Sequence, residues 1–567
     1  MDDISIVICG EAGQGIETIE KILTKVLKTS GYHVFSAREY MSRIRGGVNS
    51  TEIRISSKSI KAYVNRIDLL FALNSKSIDH LKDRTSDSTL IFGDKEIINN
   101  ISDLIDIPLL KITNNLGNLR YSNMVILGII CGLLDLSKND IDNHISKYFG
   151  EKGEKIVNNN LESISEGYRL ANKLIETGIN IKIKKGIEFS RDLSKDNLMS
   201  GITAIALGAL AGGCNFISGY PMTPATGVLS FMSKYSKEFE LIAEQTEDEI
   251  SAITMAIGSW YAGGRGMTTT SGGGFALMEE GISLSGMAEN PVVIHIGQRP
   301  GPATGLATRT EQGDLETSLY SGHSEFARLI LSPGSIEDCF YLTKYAFSMA
   351  DKFQIPVFIL TDQYLLDCQY NFSPLDYNKY PIKKYIEKTN KDYHRYKFTK
   401  TGISPRGIPG FGEGLVIQTG NEHDETGYIT EDAVLRKKMV EKRTYDKLNQ
   451  LKNEVIYPEL LGGKAYRFLL IGWGSTRNIV EEALKQIKEP RLGFLHFKQV
   501  YPLPREIMGY LVNAQKVIAI ENNATGQFAN LIKKETGFEI KNKILKYDGR
   551  PFSVEDVVSK VKKILEE

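Results

Sequence analysis

A threonine held between two prolines, an acid on an apolar helix face and two arginines on stiffened loops are the residues here best suited to handling a small carboxylate. Thr223 lies in residues 218–227, Ser-Gly-Tyr-Pro-Met-Thr-Pro-Ala-Thr-Gly. Pro221 and Pro224 fix φ and lack an N–H, so this stretch can neither continue a strand nor sit inside a helix. The Thr223 hydroxyl both donates and accepts, and Tyr220 beside it offers a flat face with a polar tip. Glu249 ends the run Glu244-Gln-Thr-Glu-Asp-Glu and begins a face continued by Ile253 and Ala256 at helical spacing. Helix capping is enough to account for Glu247 and Asp248. A carboxylate on an apolar face is different, because it is costly without a partner or a task. Arg299, in Gln-Arg-Pro-Gly-Pro-Ala-Thr-Gly (298–305), and Arg309, in Thr-Arg-Thr-Glu-Gln-Gly-Asp-Leu (308–315), suit a bidentate grip on a carboxylate. Taken alone, the proline loop serves equally well as a tight strand-to-helix turn.

Two further groups stand nearer the start of the chain. Gly10-x-x-Gly13-x-Gly15 follows a short apolar strand and opens a helical pattern, an arrangement in which the backbone can approach an anion. The spacing departs from Gly-x-Gly-x-x-Gly, so a strand–helix turn explains it as readily as anion binding. Arg43 and Arg45, beside Gly46 and Gly47, could hold phosphate or a partner's carboxylates, or form a solvated loop. Glu422-His423-Asp424 has the residue types of a metal site, but one imidazole among adjacent carboxylates lacks ligand geometry, and a polar turn is the better reading.

The elements that must position these residues alternate as strand and helix. An apolar strand at residues 216–217 feeds the proline loop, and one at 239–243 feeds the acidic run before an alanine-rich helix. Residues 266–274 read as a strand ending in Gly-Gly-Gly, and 291–296 as a buried strand whose carboxyl end bears Arg299. In open α/β sheets, ligands bind at such carboxyl ends. The pattern predicts a first α/β domain over 1–180, a charged linker over 181–197 and a second domain over 198–371. A connecting and interface segment at 372–465 and a small β–α domain over 466–567 follow.

At 567 residues the chain is too long for one core, and length alone points to roughly three to four domains. Lys+Arg and Asp+Glu balance at 69 each, so nothing argues for nucleic acid or an anionic membrane as partner. The longest apolar run, residues 124–134, falls short of the roughly 20 residues a membrane span needs and reads as a buried helix. The N-terminus is acidic and then strand-like, unlike a signal peptide, which places the protein in the cytoplasm. Five scattered cysteines, none in Cys-x-x-Cys spacing, suit buried thiols rather than disulfides, zinc or an iron–sulfur cluster.

Several co-linear motifs resemble the 2-oxoacid:ferredoxin oxidoreductase family. Gly-Tyr-Pro-Met-Thr-Pro and Thr-Arg-Thr-Glu-Gln-Gly-Asp-Leu resemble its α subunit, most like the 2-oxoglutarate type. Gly-Glu-Ala-Gly-Gln-Gly and Arg-Gly-Gly resemble its γ domain, here fused ahead of α. The resemblance implies an α/β fold of three parallel-sheet domains: Rossmann-like γ, pyrimidine-type thiamine diphosphate-binding, and transketolase C-terminal-like. It implies oxidative decarboxylation of a 2-oxoacid on thiamine diphosphate, acyl transfer to coenzyme A and electron transfer to ferredoxin. By motif position, Glu249 matches the carboxylate that hydrogen-bonds the cofactor's aminopyrimidine, and Thr223 the threonine facing substrate and cofactor. Arg299 is the first choice for the substrate carboxylate, with Arg309 and Tyr220 also on the substrate side. Pro221 and Met222 belong to the cofactor wall, and Gly10, Gly13, Gly15, Arg45 and Gly46 to the γ-type motifs. No Gly-Asp-Gly occurs in the sequence. Mg²⁺, the diphosphate and a [4Fe–4S] cluster are therefore expected on a partner β subunit, in a heterodimer or dimer of heterodimers.

Overall fold

In the computed structural model the residues described are 2–42, 47–99, 101, 103–183 and 192–566. Arg43, Arg45, Gly46 and much of the expected linker lie outside them. The chain divides into two compact units, Met1–Met199 with Cys368–Leu375, and Ser200–Asp367 with Asp376–Glu567.

The first unit holds an eight-stranded sheet. Its strands are β1 (Asp3–Gly10), β2 (His33–Glu39), β3 (Asn49–Ser56), β4 (Leu69–Ala72), β5 (Leu90–Gly93), β6 (Leu104–Asp106) and β7 (Asn197–Ser200), with Gln369–Phe372, β14 in chain order. The order is β6-β5-β4-β1-β3-β2-β14-β7. From β6 to β1 the strands are parallel; β1–β3, β3–β2 and β2–β14 are antiparallel. The sheets of the molecule are thus mostly parallel, and this first one is mixed. β1, parallel to β4 and antiparallel to β3, is buried along nearly its whole length and sits inside the sheet. The apolar run at 124–134 is a helix, Ser122–Leu133, buried from Met124 onward. It packs backbone to backbone on helix Glu154–Glu176: a Cβ on Gly128 would lie 2.5 Å from the Ile164 carbonyl oxygen.

The second unit carries two sheets. The larger comprises β8 (Phe216–Gly219), β9 (Ile242–Gln245), β10 (Gly266–Thr270), β11 (Val292–Gln298), β12 (Leu329–Leu331), β13 (Pro356–Asp362) and β18 (Gln499–Tyr501), in the order β18-β12-β13-β11-β10-β8-β9. Only β18 runs antiparallel. The smaller comprises β15 (Glu459–Gly462), β16 (Phe468–Trp473), β17 (Leu492–Phe497), β19 (Lys516–Glu521) and β20 (Asn542–Leu545), ordered β15-β17-β16-β19-β20. One contiguous apolar core runs from Ile253 and Ile294 of the larger layer to Leu469 and Phe528 of the smaller.

Residues 376–458 have few regular elements, and they are fastened by buried ion pairs. Glu289 takes Lys442 at 2.5 Å and Lys447 at 2.6 Å, while Asp351 takes Arg406 at 2.7 Å and Arg265 at 3.2 Å. A buried charge persists only where such pairing offsets its lost hydration. Glu422 pairs with Arg443 at 2.8 Å, Asp424 accepts the N–H groups of Thr426 and Gly427, and His423 stacks on Tyr396. Each member of that trio has a structural partner. Among the described residues, no helix is long and apolar enough to cross a membrane.

Candidate active site

β11, β10, β8 and β9 are consecutive neighbours in one parallel sheet, so their carboxyl ends line up along one edge. From β8 the chain enters Tyr220–Thr223; from β9 it reaches Asp248 and helix Glu249–Tyr261. From β10 it enters the three glycines 272–274, and from β11 it passes directly to Arg299. Asp248 caps helix Glu249–Tyr261, accepting the Ser251 N–H at 2.7 Å, which leaves Glu249 as the first helical residue. Ser218 Oγ, on β8, donates to the Ala252 carbonyl at 2.6 Å and ties that helix to the proline loop.

Glu249 is only 3% exposed, and its Oε1 has no hydrogen-bond partner. Burial pushes its pKa up, with the neighbouring Asp248 charge adding to the effect. Its carboxylate faces Gly274, where a Cβ would stand 2.3 Å from Oε1 and 2.3 Å from Thr270 Oγ1. At the other end of the glycine run, a Cβ on Gly272 would stand 2.2 Å from Asp314 Oδ1. Only backbone without side chains lets each carboxylate come this close to the run.

Arg299 Nη1 donates to the Thr223 carbonyl at 2.7 Å, which joins the β11 and β8 loops directly. The guanidinium is largely buried and its Nε has no partner. Burial pulls its pKa below the usual value, opposed by the Asp314 charge. Behind the loops, neutral His295 bridges Thr269 and Thr361 at 2.8 Å each. Burial drives that imidazole down to about 3, so it acts as a fixed cross-strand link.

Thr223 and Glu249 therefore follow the neighbouring strands β8 and β9, and Arg299 follows β11, with β10 between it and β8. Met222 and Thr223 are half-buried, and Tyr220 and Pro221 are exposed beside them. Arg309 belongs to the loop that follows Arg299; its backbone N–H donates to Leu306, and Gly549 of the smaller sheet's layer packs against its stem. In the first unit, Gly10 ends β1, Gly13 has φ 94° and Gly15 caps helix Ile16–Thr29 at φ 75°. Both positive values need glycine. The space at Gly10 is filled by Gln14, whose Oε1 accepts the Glu11 N–H at 2.6 Å.

Three polar side chains at the site escaped the sequence reading. Asp314 looks like ordinary helix-start acidity. Gln298 accepts the Asp314 N–H at 3.0 Å and donates to the Thr361 carbonyl at 3.1 Å. Gln312, fully buried, donates to the Trp473 carbonyl at 2.9 Å and accepts the Asn522 N–H at 3.0 Å. Gln527 adds a bond to the Gly313 carbonyl at 2.8 Å, so the 310–315 loop is held by the smaller sheet's layer. Unbroken polar runs in a loop carry no signal of such contacts.

A parallel α/β layer with buried carboxylate and guanidinium side chains at its strand ends, Glu249 Oε1 and Arg299 Nε among their atoms left without a partner, is the arrangement of a ligand site in an α/β enzyme. Comparison with known proteins sharpens this class. Residues 207–442 match the family model described as pyruvate flavodoxin/ferredoxin oxidoreductase, thiamine diphosphate-binding, and residues 5–170 match pyruvate ferredoxin/flavodoxin oxidoreductase. A 2-oxoacid:ferredoxin oxidoreductase subunit alpha from Sulfolobus sp is 31% identical, covering 100% of this chain and 97% of that protein. The 2-oxoglutarate synthase subunit KorA of Methanocaldococcus jannaschii is 33% identical over 58% of this chain and 89% of its own length. Among solved structures, the 2-oxoglutarate:ferredoxin oxidoreductase of Magnetococcus marinus, with 2-oxoglutarate, coenzyme A and succinyl-CoA bound, superposes with a TM-score of 0.91. It is 29% identical and covers 99% of each chain. This chain belongs to the 2-oxoacid:ferredoxin oxidoreductase family of enzymes, as an α subunit.

Proposed function

We propose that this chain supplies the pyrimidine-side wall of a thiamine diphosphate site. In it a 2-oxoacid, 2-oxoglutarate first among candidates, is oxidatively decarboxylated with coenzyme A to an acyl-CoA, CO2 and reduced ferredoxin. The observation that carries this reading is Glu249: a buried carboxylate with one oxygen unpartnered, facing bare glycine backbone. That donor set fits the aminopyrimidine, which needs a carboxylate out of water to hold and exchange its ring proton. Bound here, thiamine diphosphate would supply the carbon nucleophile and electron sink that decarboxylation requires. The chain's own residues do the rest. Glu249 holds and moves the proton, Arg299 orients the substrate carboxylate, Thr223 offers its hydroxyl to substrate and cofactor, and Tyr220, Pro221 and Met222 shape the wall. Arg309 is the candidate for a distal carboxylate.

The sequence has no Gly-Asp-Gly and no Cys-x-x-Cys. We therefore assign Mg²⁺, the diphosphate grip and a [4Fe–4S] cluster to a β subunit. Large apolar side chains on the elements around the glycine run favour such a covering partner: Ile250, Leu277 and Leu306 are each more than half exposed. The γ-type unit, with Gly10, Gly13 and Gly15, is assigned to coenzyme A and subunit packing.

Reconstitution tests the reading. The chain alone should give no turnover, and with its β subunit should reduce a viologen dye given 2-oxoglutarate and coenzyme A. Glu249→Gln should abolish that activity while leaving assembly intact; a Glu249→Gln complex with wild-type turnover would remove the assignment. Comparing kcat/KM for 2-oxoglutarate, pyruvate, branched-chain and aryl 2-oxoacids ranks the substrates.

A further inference from the structure

His295 is fully buried in the middle of the larger sheet, between β10 and β13. Its Nδ1 lies 2.8 Å from Thr269 Oγ1 on β10, and its Nε2 lies 2.8 Å from Thr361 Oγ1 on β13. All three side chains are at most 2% exposed, so water does not compete for these bonds. Thr269 Oγ1 reaches further, to the Ala225 carbonyl at 3.5 Å. Ala225 ends the proline loop, two residues after Thr223. The same face of β11 meets that loop again, because alternate residues of a strand share a face. A Cβ on Gly297 would stand 3.0 Å from Pro224 Cγ and 3.3 Å from the Ala225 nitrogen. Two residues further on, Arg299 donates to the Thr223 carbonyl at 2.7 Å. Residues 295, 297 and 299 thus meet the loop in succession, the first of them through Thr269. Burial keeps the imidazole neutral, so one ring nitrogen bears a proton and the other accepts one. Each threonine has a single proton to give. Thr269 can give its own to Ala225 only if Nδ1 carries the ring proton and donates to Thr269. Thr361, whose alternative is the Ile296 carbonyl at 3.4 Å, then donates to Nε2.

We infer that His295 is a positioning residue for the substrate wall: as the Nδ1–H tautomer it turns the Thr269 hydroxyl onto the Ala225 carbonyl, and so fixes the loop that carries Thr223 and anchors Arg299. The inference rests on the reading of Thr223 and Arg299 as substrate-side groups. His295 acts only through Thr269. The two sides of its ring are therefore unequal: the bond to Thr361 ties strand to strand, and the bond to Thr269 sets the loop.

The test uses the complex with its partner subunit and, separately, this chain alone. An asparagine amide can donate from the place of Nδ1, whereas a glutamine amide reaches the place of Nε2. His295→Asn should therefore keep kcat/KM for the best 2-oxoacid within about twofold of wild type, while His295→Gln lowers it roughly tenfold. Thr269→Val, which removes the hydroxyl and keeps the shape, should match His295→Gln, and Thr361→Val should match His295→Asn. A histidine that merely ties β10 to β13 would lower the melting temperature in both His295 variants and leave kcat/KM alone. That outcome, or equal losses of kcat/KM in His295→Asn and His295→Gln, overturns the inference. A measurement on the wild type needs no variant to be active. Nitrogen-15 spectra of the histidine-labelled chain, with His295 assigned by the signal missing from either variant, should show Nδ1–H, and an Nε2–H ring overturns the inference. A Glu249→Gln complex with wild-type turnover would remove the thiamine reading alone, since the tautomer of His295 is read on the chain by itself.

Discussion

Replacing Gly274 by alanine places one methyl group where the fold has room for none. Its carbon would lie 2.3 Å from Glu249 Oε1 and 2.3 Å from Thr270 Oγ1, whereas ordinary contact begins at 3.4 Å. The Glu249 side chain must therefore retreat by about 1 Å, because its helix is anchored by the Asp248 cap and the Ser218 bond to Ala252. A displacement of about 1 Å in a group that moves a proton costs roughly 10²-fold in rate. That is about 2.7 kcal/mol of transition-state stabilisation. The measurement is kcat for viologen reduction by the reconstituted complex, with the melting temperature of the chain recorded alongside. Gly258→Ala is the control on the same helix. Gly258 is exposed, with nothing within 4 Å of the added carbon, and alanine there should stabilise by roughly 0.5–1 kcal/mol without changing kcat. A Gly274→Ala complex with kcat within about twofold of wild type would refute the reasoning, since ~0.4 kcal/mol is less than so displaced a carboxylate can cost.

Other perturbations probe the scaffold. Glu289→Gln strands Lys442 and Lys447 as buried cations, and should cost about 3–5 kcal/mol in urea unfolding. His295 is held down at about 3 by burial, against roughly 6.5 in the unfolded chain. Between those values only the unfolded state gains the proton, so stability falls as pH falls, by up to about 1.4 kcal/mol per pH unit. Unfolding midpoints at about pH 6 and pH 5 should show a shallower acid loss in His295→Gln than in wild type. Cys9 and Cys214 are pushed up to about 12 by burial, so an alkylating reagent at about pH 8 should label them only as fast as the chain opens.

The site was readable where local signals and strand ends coincide. Thr223, Glu249 and Arg299 each follow an apolar run, and an apolar run followed by glycine, proline or an acidic cap marks a strand's carboxyl end wherever that strand pairs. What could not be read depends on distance in sequence. Gly272 and Gly274 look like any glycine loop until Asp314 and Glu249 are seen against them. Lys442 belongs to a polar stretch whose composition suggests solvent, and its burial follows from Glu289, 153 residues earlier. Pairing direction was hidden for the same reason. β2 and β3 have the alternation of strands, but nothing in that alternation says they run antiparallel, or that Gln369–Phe372 would return to sit beside β2.

The Gln312 contacts have a consequence for how such chains can be recombined. The loop bearing Arg309 and Asp314 takes its shape partly from the far end of the polypeptide. Its Gln312 backbone and side chain exchange bonds with Asn522 and Trp473, and Asn523 donates to its carbonyl at 3.2 Å. A cut near residue 460 that looks like a clean seam would sever the mould from the casting. A graft of the last hundred residues from a relative should carry substrate preference with it, even though none of those residues need touch a substrate.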